Sequence, residues 1–429
     1  MNHLTEILRT NPGVSDYKIN IHQKESYELF FVKGLLETVR CTDNRDTEVT
    51  VYVDHDNFKG EASFFVYPST TETELRNKVE EAVSKARLIR NQTYTIPCPD
   101  ASDAQPEVFS IDSNFNDYEI SELAARIARL VFDSNTVENG SLNSVEIFLN
   151  RHTDTLVNSR GVNKTQTRWD AMVEAIPTYN GEQESVELYE QYNFSSLDEA
   201  SLTREISEKM AEVKARYEAV KPDFPISCPV MLHAQEISDL VRNIAYDLNY
   251  ASIYSHSNLF SKGDSIQSAP TGDLLGITMT GSIPGSVRSS AFDSDGLPLG
   301  SIRIVEGGKA INYFGANRYG QYLGETPTGN LGCIMVDPGH TDLSDVCGDT
   351  WLEVLSMSGL QVDFYSDYIG GEIRLAYYHH QGKQIPLTGI SISGKLSMVL
   401  NNIRFSGDCC VMGSYSGPRT VLISDMAVF

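Results

Sequence analysis

Arg242, Asn243, Tyr246 and Asp247 stand within six residues of one another. They would share the polar side of a predicted helix whose other side is Ile237, Leu240, Val241, Ile244 and Leu248, apolar at three- and four-residue spacing. Of Arg242, Asn243 and Asp247, Asp247 alone could ligate a metal ion. Arg242 is a permanent cation that repels one, and Asn243 is an amide that cannot take a proton. The plainer reading of Arg242 and Asp247 is a solvated or ion-paired helix face.

Other chemistry-bearing residues have plain readings too. His256 lies just past the helix in a Ser/Tyr-rich loop, where a lone histidine is usually a hydrogen-bonded structural residue. Adjacent Cys409 and Cys410 cannot both reach one metal without strain. His379 and His380 point to opposite faces of a predicted strand and cannot chelate together. Packing accounts for His233 at the end of the short apolar strand 230–232. Asp293-x-Asp295-Gly296 has its glycine too early for a calcium loop and lacks the closing glutamate. The glycine-rich stretches 281–285 and 324–332 match neither phosphate-binding fingerprint. Spacing alone assembles no Ser-His-Asp triad.

The run 230–247, followed by Tyr254-Ser255-His256-Ser257 and Lys262-Gly263-Asp264, resembles the core of the TldD/PmbA (TldD/TldE) family. Later segments are similar as well: Asp293-Ser294-Asp295-Gly296 with Tyr313 and Arg318, Pro327-Thr328-Gly329-Asn330, 364–371 and 390–396. Order and spacing carry the resemblance more than any single motif. The family is described as metallopeptidase and often labelled a modulator of DNA gyrase. In its TldD branch this helix carries His-Glu-x-x-x-His, and a cysteine near the C-terminus completes a zinc site. Laid over this chain without gaps, those three positions fall on Arg242, Asn243 and Asp247.

That replacement removes both ligation and the general base. The resemblance therefore implies the TldE/PmbA-like branch, with no cofactor; zinc is expected only in the TldD-type branch. It further implies a homodimer, or a heterodimer with a zinc-bearing TldD-type chain, enclosing a cavity and holding unfolded peptide. Arg242, Asn243, Tyr246, Asp247 and His256 would line a vestigial site, with Asn330 a further candidate. Two alternatives stand beside this reading. One is an active peptidase using Asp247, His256 and a C-terminal cysteine. The other is a non-enzymatic binding or scaffold protein.

Positioning these residues falls to a chain of 429 residues, long enough for two or three domains, with 41% hydrophobic residues. The net charge of -24 opposes direct contact with nucleic acid. No segment has the length and apolarity of a membrane span, and residues 1–13 lack a signal-peptide core. Seven scattered cysteines without a Cys-x-x-Cys pair suit reduced thiols and a cytoplasmic location.

The fold class expected is α+β: an N-terminal mixed sheet-and-helix part followed by a β-rich C-terminal domain. The divisions expected are 1–96, 107–220 and 221–429, with a proline-bearing loop over 97–106. In the first, 4–10 suits a short helix, and 17–21, 27–32, 35–40, 49–53 and 61–66 are strands. Hairpins are expected at 33–34 and 56–60. Thr71-x-x-Glu74 opens a helix striped by Leu75, Val79, Ala82, Val83 and Ala86. In the second, a helix over 120–131 precedes strands at 145–149, 155–157, 165–176 and 185–192, with Gly161 supplying a positive φ. Ser196-x-x-Glu199 would open a long helix striped by Leu202, Ile206, Met210, Val213 and Tyr217, ended by Pro222. The third is read as short strands (274–280, 301–305, 310–314, 332–336, 351–357, 371–378, 421–423) forming a closed or sandwich-like structure with few helices.

Overall fold

The computed structural model describes residues 2–99, 106–182, 184–340 and 342–429. Most of the loop expected over 97–106 therefore lies outside the described residues. The described residues form a mixed α+β protein built on three sheets.

The first sheet comprises β1 (Asp16–Val32), β2 (Leu35–His55), β3 (Phe58–Val66), β4 (Asn91–Gln92), β5 (Glu107–Ser110), β6 (Gly140–Asn158), β7 (Asn163–Asn180), β8 (Ser185–Glu187) and β9 (Glu190–Phe194). Its main path runs β4-β3-β2-β1-β6-β7-β5, and β8 and β9 also pair with β7. The fragments read at 17–21 and 27–32 are one 17-residue strand, and those at 35–40 and 49–53 are one 21-residue strand. The polar run 41–48 hid this continuity, because it lacks the apolar alternation that marks a strand. Backbone pairing with β1, from Cys41 opposite Tyr27 to Glu48 opposite Asn20, makes it strand nonetheless. The 56–60 turn is likewise tighter than expected. Only Asp56 and Asn57 turn, both at positive φ, as a two-residue hairpin requires.

Alternation gives this sheet two unlike faces. On one, Ile19, Ile21, Val49 and Val51 pack under α1 (Asn2–Thr10) and α2 (Glu72–Ala86). The same face carries Leu29, Val145, Ile147, Leu149, Ala171 and Val173 under α3 (Ile120–Asp133) and α4 (Glu199–Glu218). The Thr71–Glu74 capping box opens α2 as expected. For α4 the cap is Asp198, not Ser196. The Asp198 carboxylate accepts the Ser201 N–H at 3.1 Å, while the Ser196 hydroxyl accepts the Asn114 N–H. The opposite face is polar, holding Lys18, His22, His152, Asp154, Gln166, Arg168 and Asp170.

The C-terminal half starts with strand Val230–His233, which feeds α5 (Ala234–Asp247) and then α6 (Tyr250–Tyr254). A nine-stranded sheet runs, along its main path, Arg404–Phe405, Thr420–Ile423, Val230–His233, Thr350–Met357, Tyr368–His380, Ile390–Lys395, Met426–Val428. A six-stranded sheet runs Lys309–Ala310, Ser301–Glu306, Ile277–Thr280, Cys333–Val336, Tyr415–Pro418, Cys409–Met412. One apolar cluster joins both sheets to Ile237, Leu240, Val241 and Ile244 of α5. The helix is thus the shared core element of this half. Helices α7 (Asn317–Leu323), α8 (Leu343–Val346) and α9 (Leu396–Asn402) break the β-rich pattern. Of the strand expected at 310–314, only Ala310 lies in a ladder, in the pairing of Lys309–Ala310, and Phe314 makes a single bridge to Asn249 before the chain turns at Gly315, φ +148°.

Candidate functional site

The apolar stripe of α5 fixes which side chains remain free to do chemistry. With Ile237, Leu240, Val241 and Ile244 inward, Asn243 and Tyr246 face solvent and Arg242 and Asp247 lie at the margin. Arg242 spans outward from the helix. Its Nε donates to Ser238 Oγ one turn back at 3.0 Å, and its Nη2 donates to Ser414 Oγ at 2.6 Å. Ser414 sits at the turn joining Cys409–Met412 to Tyr415–Pro418, so Arg242 ties α5 to the hairpin that carries both adjacent cysteines.

Asn243 turns its amide back on the helix, donating from Nδ2 to the Asp239 carbonyl at 2.8 Å. Asp247 uses both carboxylate oxygens: Oδ1 accepts the Leu259 N–H at 2.7 Å and Oδ2 the Phe260 N–H at 2.9 Å. Burial pushes this carboxyl above its ordinary range, against the pull of those two donors. Its evident work is to pin the 259–260 loop to the helix end. Tyr246, 76% exposed, presents its ring to solvent.

His256 and Asn330 stand apart from this group. His256 is exposed in the left-handed region, at φ +56°, just after α6. Asn330 is exposed, and its backbone N–H donates to Asp293 Oδ2 at 3.1 Å. Among the described residues no hydrogen bond or ion pair joins either side chain to Arg242, Asn243 or Asp247. Asp293 is a loop organiser: its Oδ1 accepts the N–H groups of Asp295 and Leu297, and Gly296 between them has φ +88°.

The thiols near the helix are held neutral. Burial pushes Cys410 and Cys409 up, and likewise Cys333, although Ser286, Ser289 and the Arg242 charge pull that last one back. The donor set on α5 does not fit zinc. It offers a guanidinium already fastened to two hydroxyls, an amide bonded to its own helix and a carboxylate whose oxygens both hold backbone.

Sequence reasoning did not find Ser414, 172 residues from Arg242; a serine in a turn carries no signal of its own. It also missed Glu353, whose carboxylate lies 3.3 Å from His233 Nε2 and 2.8 Å from His379 Nε2. A carboxylate therefore stands beside His233, in addition to the packing expected from the sequence. The two histidines come together only through the pairing of Thr350–Met357 with its neighbours on either side.

An α-helix packed against two sheets, preceded along the chain by a sheet backed by helices, gives an α+β architecture whose C-terminal apolar core gathers around α5. Residues 225–429 match the PmbA/TldA metallopeptidase C-terminal domain, which bears out the resemblance to the TldD/PmbA family over this part of the chain. Over its whole length it shares the fold of TldE from Thermococcus kodakarensis, with a TM-score of 0.80 at 13% identity over 99% of each chain. A proposed modulator of a DNA gyrase from Thermotoga maritima gives 0.75 at 15% identity, covering 100% of this chain and 99% of that one. A similarly described protein from Bacteroides thetaiotaomicron gives 0.77 at 14%, covering 100% and 97%. No curated protein sequence matches the chain.

Proposed function

We propose that this chain is the non-zinc, TldE/PmbA-like member of a peptide-processing assembly, pairing with a second copy or with a zinc-bearing TldD-type chain. The observation that carries the reading is the occupation of Arg242, Asn243 and Asp247 by structural hydrogen bonds, in a domain of metallopeptidase type. The T. kodakarensis neighbour named TldE agrees with that branch.

In this reading α5 positions peptide instead of cleaving it. The strand Cys409–Met412, one arm of the hairpin held by Arg242, ends the six-stranded sheet. An extended unfolded peptide could add to that edge by main-chain pairing. The net charge of -24 favours basic peptides and disfavours direct nucleic-acid contact. A cytoplasmic location is part of the proposal, in keeping with free cysteines throughout; no helix of the described residues is long and apolar enough to cross a membrane. The rival peptidase built on Asp247 draws less support, because both of its oxygens hold the 259–260 loop.

The test is affinity capture of the tagged chain from its native cells, followed by peptide-cleavage assays on the purified chain alone. Stoichiometric recovery of a chain with an intact His-Glu-x-x-x-His, and no cleavage by the isolated protein, is the expected outcome. Cleavage of an unfolded peptide by the isolated chain, abolished in Asp247→Ala, would overturn it.

A further inference from the structure

On the polar face of the first sheet, β1, β6 and β7 bring two histidine–aspartate pairs side by side. His22 stands opposite Asp154, and His152 opposite Arg168, in the strand register. His22 Nδ1 is hydrogen-bonded to Asp154 Oδ1, and His152 Nε2 to Asp170 Oδ2. The remaining ring nitrogens, His22 Nε2 and His152 Nδ1, face each other at 3.4 Å.

The carboxylates decide where the ring protons sit. An ionised carboxylate only accepts, so the nitrogen facing each one carries the proton. The two nitrogens left over then turn their acceptor sides toward each other, an arrangement completed by a shared proton or by a metal cation. The 3.4 Å gap is within hydrogen-bonding reach but long for such a bond. A tetrahedral ion with bonds of about 2.0–2.1 Å sets its ligand nitrogens about 3.3–3.4 Å apart. The observed spacing is that of a metal's bite.

We propose that His22 and His152 are two ligands of a site for a divalent transition cation of the zinc, nickel or copper class, with Asp154 and Asp170 orienting the rings from behind. A carboxylate behind each ligating imidazole is the usual outer shell of such sites. Among the described residues no three His, Cys, Asp or Glu side chains converge, so the chain supplies two ligands and leaves two positions for water or a donor group of a bound molecule. The His22 side chain is 41% exposed and that of His152 9%, so the open side lies toward His22. Exposed Asp46 stands opposite His22 on β2, and Lys24 stands opposite His152. The Arg168 charge is countered by Asp154 at 3.3 Å and Asp170 at 3.9 Å. This site lies on a different sheet from α5 and does not depend on the function proposed above.

The test uses the full chain, stripped with chelator and titrated separately with Zn²⁺ by calorimetry and Co²⁺ by visible absorption. One equivalent should bind, the ring resonances of His22 and His152 should shift in the NMR spectrum of the unmutated protein, and Asp247→Ala should leave binding intact. His152→Ala should abolish binding, and Asp170→Asn should weaken it about 10–100-fold. Absence of saturable binding, or binding that survives in the His22→Ala/His152→Ala double variant, would overturn the proposal; the first result would leave a shared proton between the two nitrogens.

Discussion

Arg242 Nη2 donates to Ser414 Oγ at 2.6 Å, fastening α5 to the C-terminal hairpin. The same guanidinium occupies a position where the family resemblance places a histidine in the TldD branch. In the function proposed, this one side chain serves as a direct link between helix and hairpin instead of as a ligand. Arg242→Met should destabilise the protein by about 1–3 kcal/mol in denaturant unfolding, since the hydrogen bonds lost are charge-assisted. Amide exchange should quicken in the hairpin 409–418. A variant as stable as the parent, with an unchanged hairpin, would remove Arg242 from this structural role.

Asp247 closes the other end of the helix by holding two backbone N–H groups. Asp247→Ala leaves both donors without their acceptor and should cost about 2–3 kcal/mol, and Asp247→Asn, which retains one acceptor, less. The exchange rates of the Leu259 and Phe260 amides report the change directly. Unaltered protection at both would show that the loop is held by something else.

Acid should act through Asp16. Burial alone would raise its carboxyl, but Arg160 at 3.0 and 3.1 Å, Ser159 at 2.7 Å and Lys59 at 3.3 Å hold it below the ordinary 3.8. A depressed folded value means that the native state binds the proton less readily than the unfolded chain. The stabilisation is then complete above 3.8 and drains away as pH falls through the folded value. The stability gap between the parent and Asp16→Asn should be widest near neutrality and shrink below about pH 4. A gap that stayed constant from pH 7 to pH 2 would contradict this.

Gly60 marks where α2 closes onto β3. A Cβ there would lie 1.7 Å from the Ala86 carbonyl oxygen, a backbone atom that cannot step aside. Gly60→Ala should lower stability by about 3 kcal/mol, read from the denaturant midpoint. Tolerance of alanine would mean that the helix end can shift freely.

What the sequence could show follows from how local each signal is. The capping box at Thr71, the stripe of α2 and the apolar face of α5 are all set by residues a few positions apart, and the structure has each of them. The continuity of β2 through 41–48 was hidden because its polar residues are made strand by a partner across the hairpin. For the candidate site, the α5 face was legible as a cluster of polar types. The work of Arg242 depends on Ser414, and the pairing of His22 with His152 spans 130 residues. Neither relationship leaves a mark in local spacing; each is created by strand register.

The function proposed requires that α5 hold no catalytic metal. Metal content measured on His22→Ala/His152→Ala protein, purified with zinc supplied throughout, tests this directly because the sheet site is removed. The predicted result is no stoichiometric zinc. One equivalent retained in that protein, and lost on adding Asp247→Ala, would contradict it.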